Sequence, residues 1–314
     1  MDKIFKYKIL FYFLYFFVAA FILFLINRII IKIINCNSLR SKIEKKQKGL
    51  LINKNKYICC DLNELECKSE INKRDKIVII APDLFEPLFI YDDFIGYLSH
   101  QDICDYFIYK QRNMLLIQKE KRVLGNYLED LLDIINYFKE KNYYKEIVLI
   151  TSGLFANLSL TISNKNIVDK IIVLNYANKG FKYENKYAMK LHINTILFQY
   201  NPIPCKLDKT TLSGEKLFDK KIIEYHLEFA FFSSVIYYQM LKAIKKFYNS
   251  VNKSKAVIYF KNSKNNNNLN AKKFVKMLSF VKSEYEVEIF NDSSNFFLND
   301  AEKLIVFNSI ISII

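Results

Sequence analysis

The run Thr151-Ser152-Gly153-Leu154-Phe155-Ala156-Asn157 follows the apolar stretch Ile147 to Ile150 and leads into residues with helical spacing. Ser152 in this run carries a hydroxyl, which attacks as a nucleophile only where a base can take its proton. The plainer alternative is an ordinary turn, at most an anion site on backbone N–H groups. Bases are scarce, because the only histidines are His100, His192 and His226. His226 lies in the aromatic-rich stretch 222–238 and could reach a pocket, but no carboxylate has a suggestive spacing to it, and packing is its simpler role. His100 ends a predicted helix, where its charge favours the dipole, and His192 reads as a surface or turn residue. Asp92 and Asp93 are adjacent, so on a helix their side chains do not face one another. They suit a helix start better than a metal.

The cysteines Cys36, Cys59, Cys60, Cys67, Cys104 and Cys205 show no paired metal-ligand spacing, so neither a metal nor another cofactor is expected. All six read as reduced thiols, which favours a cytosolic domain. Cys59 and Cys60 read as the inward and outward residues of one short strand.

Around these residues the chain divides by charge and hydropathy. Ile9 to Ile26 carries no charge, and at 1.5 Å per residue it spans about 27 Å of helix, close to the hydrocarbon thickness of a bilayer. Apolar character resumes through Ile34 around Arg28 and Lys32, whose long stems can snorkel. The run is longer than a signal-peptide core and lacks small residues before a cleavage site. A lipoprotein reading of Cys36 places Arg28 and Lys32 inside its apolar stretch. The sequence therefore predicts a basic N-terminus (1–8), a transmembrane helix (9–34), a basic stalk (35–49) and a domain (50–314).

More than half of the +15 net charge falls in residues 1–50, where ten Lys or Arg face only Asp2 and Glu44. Beside an anchor, that charge suits anionic lipid headgroups, and no nucleic-acid motif accompanies it. Lys3, Lys6 and Lys8 precede the helix, whereas Arg28, Lys32, Arg40, Lys42, Lys45, Lys46 and Lys48 follow it. The heavier flank stays inside, which predicts a single-pass protein with a cytoplasmic C-terminal domain.

Leu50 to Asn53 and Tyr57 to Asp61 read as a hairpin. Short apolar runs then alternate with helical patterns. Strands are predicted at 77–81, 103–109, 147–150, 168–174, 194–200, 256–260 and 287–290, and helices at about 90–99, 123–140, 155–162, 271–282 and from Asp300. The stretch 214–248 is read as largely helical. Such alternation predicts an α/β domain with a doubly wound, mostly parallel sheet.

In this order of elements, and in its sharpest turn, the chain resembles the α/β-hydrolase superfamily over residues 75–314. The resemblance implies a nucleophile elbow, G-x-S-x-G, where Thr151 to Phe155 stand. One register puts Gly153 at the nucleophile. The other makes Ser152 the nucleophile but places Ile150 and Leu154 where small residues are needed. The family's acid would follow 256–260, yet 261–270 holds no Asp or Glu. Its histidine would fall in the loop at 291–296, which offers Asn295. Its oxyanion segment is usually His-Gly, and here it reads Pro82-Asp83-Leu84. A lid-like insertion is implied at about 177–254, including the aromatic stretch Leu227 to Met240.

The expectation is therefore a membrane-anchored, degenerate member without catalytic residues that binds a lipid, an acyl ligand or a protein partner. Its pocket candidates are Ser152, Gly153, Leu154, Asp83, Leu84 and Asn295. The alternative is a membrane-bound serine esterase, lipase or acyltransferase using Ser152, with His226 as base.

Overall fold

The computed structural model describes residues 11–27, 30, 48–83, 86–112, 125–153, 155–160, 167–174, 202–204, 216–229, 231–233, 255–262, 285–291, 297–299 and 303–314. Residues 11–27 form a helix, α1, with its apolar side chains exposed. Among the described residues no helix is long and apolar enough to cross a membrane. The span predicted at 9–34 extends beyond the described residues at both ends.

The domain opens with a hairpin, β1 (Leu50–Asn53) and β2 (Lys56–Ile58), followed by β3 (Glu64–Glu70), all antiparallel. The sequence reading missed β3, and the reason is physical. Glu64, Glu66, Lys68 and Glu70 leave only Leu65, Cys67 and Ser69 to turn inward, and strong charge at alternate positions weakens a strand signal. Cys59 and Cys60 also depart from expectation. They lie in a turn past β2, closed by the Cys59 N–H donating to Asn63 O at 2.8 Å.

The centre of the domain is built from β4 (Lys76–Ala81), β5 (Asp105–Tyr109), β6 (Glu146–Ser152), β7 (Lys170–Leu174), β10 (Lys255–Asn262) and β11 (Tyr285–Asn291). Their pairings are parallel, and β3 joins β5 antiparallel, giving a nine-stranded order β1-β2-β3-β5-β4-β6-β7-β10-β11. β4, β6 and β7 are buried apart from their first residues, as unbroken apolar runs between two helical layers should be. β5 begins at Asp105 rather than at Ile103. Asp105 is fully buried and accepts the N–H groups of Asn72 and Lys73 and the Tyr144 hydroxyl, a structural knot at the sheet's lower edge.

Helices cover both faces. On one lie α2 (Asp92–Gln101) and α6 (Lys303–Ile313), where Phe94 meets Phe307 over Val78, Ile80, Ile108, Val148, Ile150 and Ile172. On the other lies α3 (Gly125–Lys139), whose Phe138 packs on Phe107. Neighbours Phe107 and Ile108 thus face opposite layers, as the two-residue period of a strand requires. The short α4 (Phe155–Leu160) follows β6 directly.

The stretch read as helical from 214 instead ends its helix, α5 (Lys216–Phe229), before a strand β9 (Phe231–Ser233), which pairs antiparallel with β8 (Pro202–Pro204). The strand predicted at 194–200 and the helix at 271–282 lie outside the described residues.

The chain enters this domain at a fixed point. The Gly49 N–H donates to Asp133 Oδ1 at 3.3 Å, and Lys48 pairs with Glu140 at 2.9 Å. Asp133 also accepts the Tyr57 hydroxyl and the Cys60 N–H. A Cβ at position 49 would stand 2.0 Å from the Tyr57 hydroxyl and 2.1 Å from Asp133 Oδ2, so a side chain there would have to displace both groups.

Candidate functional site

The chain leaves β4 for β5 on one side and returns to β6 on the other, so the carboxyl ends of β4 and β6 flank a topological switch point. Register fixes what meets there. Ala81 pairs with Thr151, which brings Pro82 and Asp83 level with Ser152 and Gly153. At Gly153 the backbone takes φ +54°, the left-handed region that glycine enters without steric cost. Its N–H is held by Leu174 O at 3.1 Å.

The Asp83 side chain lies over this turn. Its Oδ1 accepts the Phe155 N–H at 2.9 Å, at the start of α4. A Cβ built on Gly153 would stand 2.1 Å from Asp83 Oδ2, 2.5 Å from its Cγ and 3.0 Å from its Cβ. Asp83 thus fills the place a side chain at 153 would need.

Ser152 turns the other way. It is 2% exposed, and its hydroxyl donates to Glu86 Oε2. The Asp83 N–H lies 2.9 Å from both Ser152 Oγ and Glu86 Oε2, and the Tyr91 hydroxyl is 2.7 Å from Glu86 Oε2 and 3.0 Å from Ser152 Oγ. Burial, with the Glu86 carboxylate beside it, pushes the Tyr91 phenol well above its usual range, so it remains a neutral donor. Gln111 Nε2 holds Pro82 O at 2.9 Å from beneath. The 3-10 turn Leu88–Tyr91 that carries Tyr91 is covered by α5, where Phe89 meets Phe218 and Tyr225 edge-on and Ile222 is buried.

A second polar cluster lies past the end of β5. Cys59, Asp61 and Asp130 bring potential ligand atoms within 4.8 Å of one another. The Arg112 guanidinium, however, binds both oxygens of Asp130 and pairs with Asp61 at 2.8 Å. A cation already supplies the charge a metal would bring. Burial lowers the tendency of Arg112 to hold its proton, but the two carboxylates outweigh it and raise its pKa. Burial, reinforced by Asp130, pushes the Cys59 thiol well up, the opposite of an activated nucleophile.

Of the pocket residues expected from sequence, Ser152, Gly153 and Asp83 come together. Leu84, Leu154 and Asn295 lie outside the described residues, as does His192. His226 falls within α5, but its side chain is outside the described set. His100 sits in the last turn of α2. Asp92 and Asp93 occupy its first turn, paired with Lys68 and Lys303. The sequence reading did not single out Glu86 or Tyr91. Both come from the loop after β4, and only the β4–β6 pairing brings them to Ser152.

No family model matches the sequence, and no curated protein matches it. Solved structures do match. The chain is similar to a monoacylglycerol lipase from Paleococcus ferrophilus, at 11% identity over 80% of this chain and 98% of that one, with a TM-score of 0.64. It is equally similar to a soluble variant of monoglyceride lipase from Saccharomyces cerevisiae, at 12% identity over 79% and 90% of the two chains, TM-score 0.64. An α/β hydrolase from Penicillium sp. sh18 matches at 11% identity over 84% and 96%, TM-score 0.59. The domain has the α/β-hydrolase fold.

Proposed function

We propose that this chain is a membrane-anchored protein whose α/β-hydrolase-fold domain binds a lipid, an acyl ligand or a protein partner without hydrolysing it. One observation carries the reading: the left-handed apex of the turn after β6 is Gly153, which has no side chain to act as nucleophile. In this fold the nucleophile belongs at that apex, with its side chain exposed above the sheet. Ser152, one residue earlier, is buried among Glu86, Tyr91 and the Asp83 N–H instead. A lipid or acyl ligand is favoured because structures sharing the fold are lipases. The anchor is supported by the charge-free run at 9–26 and by the exposure of Phe11, Tyr12, Phe16 and Leu23 on α1, a surface that water does not stabilise.

A second reading has its own support. The Ser152 hydroxyl is hydrogen-bonded to the Glu86 carboxylate, a group able to accept its proton and so to serve a serine hydrolase as base. Incubation of the full chain in detergent with a fluorophosphonate probe separates the two. Wild type is expected to remain unlabelled. Labelling that disappears in Ser152→Ala would establish the hydrolase and end the non-catalytic reading.

A further inference from the structure

The geometry points to a self-occupied elbow, which we infer to be a built-in block: Asp83 delivers its carboxylate into the space of a side chain at position 153, and the Ser152–Glu86–Tyr91 network holds the loop that delivers it. The inference rests on reading Gly153 as the apex of the elbow. It goes further, because loss of a nucleophile leaves a vacancy by default, whereas this vacancy is filled by the chain itself.

Four hydrogen bonds make the arrangement specific. Asp83 Oδ1 accepts the Phe155 N–H at 2.9 Å, which fixes the direction of the carboxylate. The Asp83 backbone N–H is held by Ser152 Oγ and Glu86 Oε2, both at 2.9 Å, which fixes the position of its Cα. Gln111 Nε2 holds the carbonyl of the preceding Pro82 at 2.9 Å. The residue is thus pinned on its N-terminal side, at its own N–H and at its carboxylate. Ser152 consequently has a role that involves no chemistry on a substrate: its hydroxyl is a positioning group for the loop. The atoms that a Cβ at 153 would strike are Asp83 Oδ2, Cγ and Cβ, the last at 3.0 Å, so rotating the carboxylate alone does not clear the space.

A consequence is that a side chain at 153 meets a block from outside position 153 in addition to the local strain of φ +54°. A double-mutant cycle on the full chain reads this directly, with Gly153→Ala, Asp83→Gly and the double variant followed by thermal unfolding. Asp83→Gly is chosen over alanine because it removes the Cβ as well. The melting-temperature loss caused by Gly153→Ala is expected to fall by at least half in the Asp83→Gly background. Equal losses in both backgrounds would overturn the inference.

If Gly153→Ala does not accumulate as folded protein, recovery of folded protein in the double variant supports the block, and failure of both sinks it. A second readout uses Gly153→Cys with and without Asp83→Gly, treated with a maleimide and read at position 153 by peptide mass spectrometry. Labelling is expected at least tenfold faster without Asp83, and equal rates would again overturn the block. The outcomes separate from those of the fluorophosphonate test. A labelled wild type ends the non-catalytic reading whatever the cycle gives, and an additive cycle removes the block while an unlabelled wild type stands.

Discussion

Arg112 shows how much of this domain's polar interior is committed to structure. Its guanidinium is 6% exposed and Asp130 is 3% exposed, so neither charge can fall back on water if its partner is removed. Removing one member of a buried pair is costly because it leaves the other charge uncompensated, typically by about 3–5 kcal/mol. Asp61 remains in contact with Arg112, so the lower end applies here. Asp130→Ala should lower stability by about 3 kcal/mol in urea unfolding, whereas Asp61→Ala, which leaves the bidentate pair intact, should lower it less. Cys59 is no reactive thiol despite its acidic and basic neighbours. It is buried, and among the charges acting on it the Asp130 carboxylate has the largest effect.

At the scale of elements, the sheet is tied at its lower edge by Glu146, which pairs with Lys76 at 3.2 Å across to β4 and with Lys170 at 2.6 Å across to β7. Burial raises the pKa of this carboxyl, but the two ammonium partners outweigh it and hold it below the usual carboxylate range. A carboxyl with a depressed folded-state pKa adds stability that is complete above its unfolded value, about 4.3, and is lost as pH falls through the folded value. Wild type should therefore be more stable than Glu146→Gln at pH 7, and the gap in melting temperature should close as pH is lowered from 5 to 3. A constant gap would show that the bridge contributes through packing alone.

These ties also explain what could be read from the sequence. β4, β6 and β7 were legible because burial on both faces demands unbroken runs of Ile, Val and Leu, and α3 because Leu131, Ile135 and Phe138 recur at helical spacing. β3 was not, since charge occupies every outward position. The β8–β9 pair was hidden because Pro202 and Pro204 argue against a strand. Gly153 stood out locally as a glycine at a sharp turn. Glu86 and Tyr91 carry no local signal, because their closeness to Ser152 comes from sheet register.

The whole molecule combines this domain with a strongly basic N-terminal region. Each basic side chain close to an anionic membrane contributes about 1 kcal/mol, so under the proposed anchoring Arg40, Lys42, Lys45 and Lys46 would together influence both lipid contact and topology. Lys48 is best left unchanged in a test because it pairs with Glu140. Reversing the other four to Glu should weaken sedimentation with phosphatidylserine vesicles or alter which side of the bilayer protects a C-terminal tag from protease. The domain's melting temperature should stay the same. Unchanged binding and unchanged topology would remove the stalk from the account.

The closely packed entry at Gly49, where the backbone meets Asp133 and Tyr57, sets a length as well as a contact. From the helical residue Ile30 to Lys48 the chain advances eighteen positions, which can reach at most about 65 Å when fully extended. With α1 in a bilayer, the domain is confined to a half-sphere of that radius, an effective concentration on the order of millimolar. A partner held within the same membrane patch can therefore be engaged through contacts too weak to detect with the free domain.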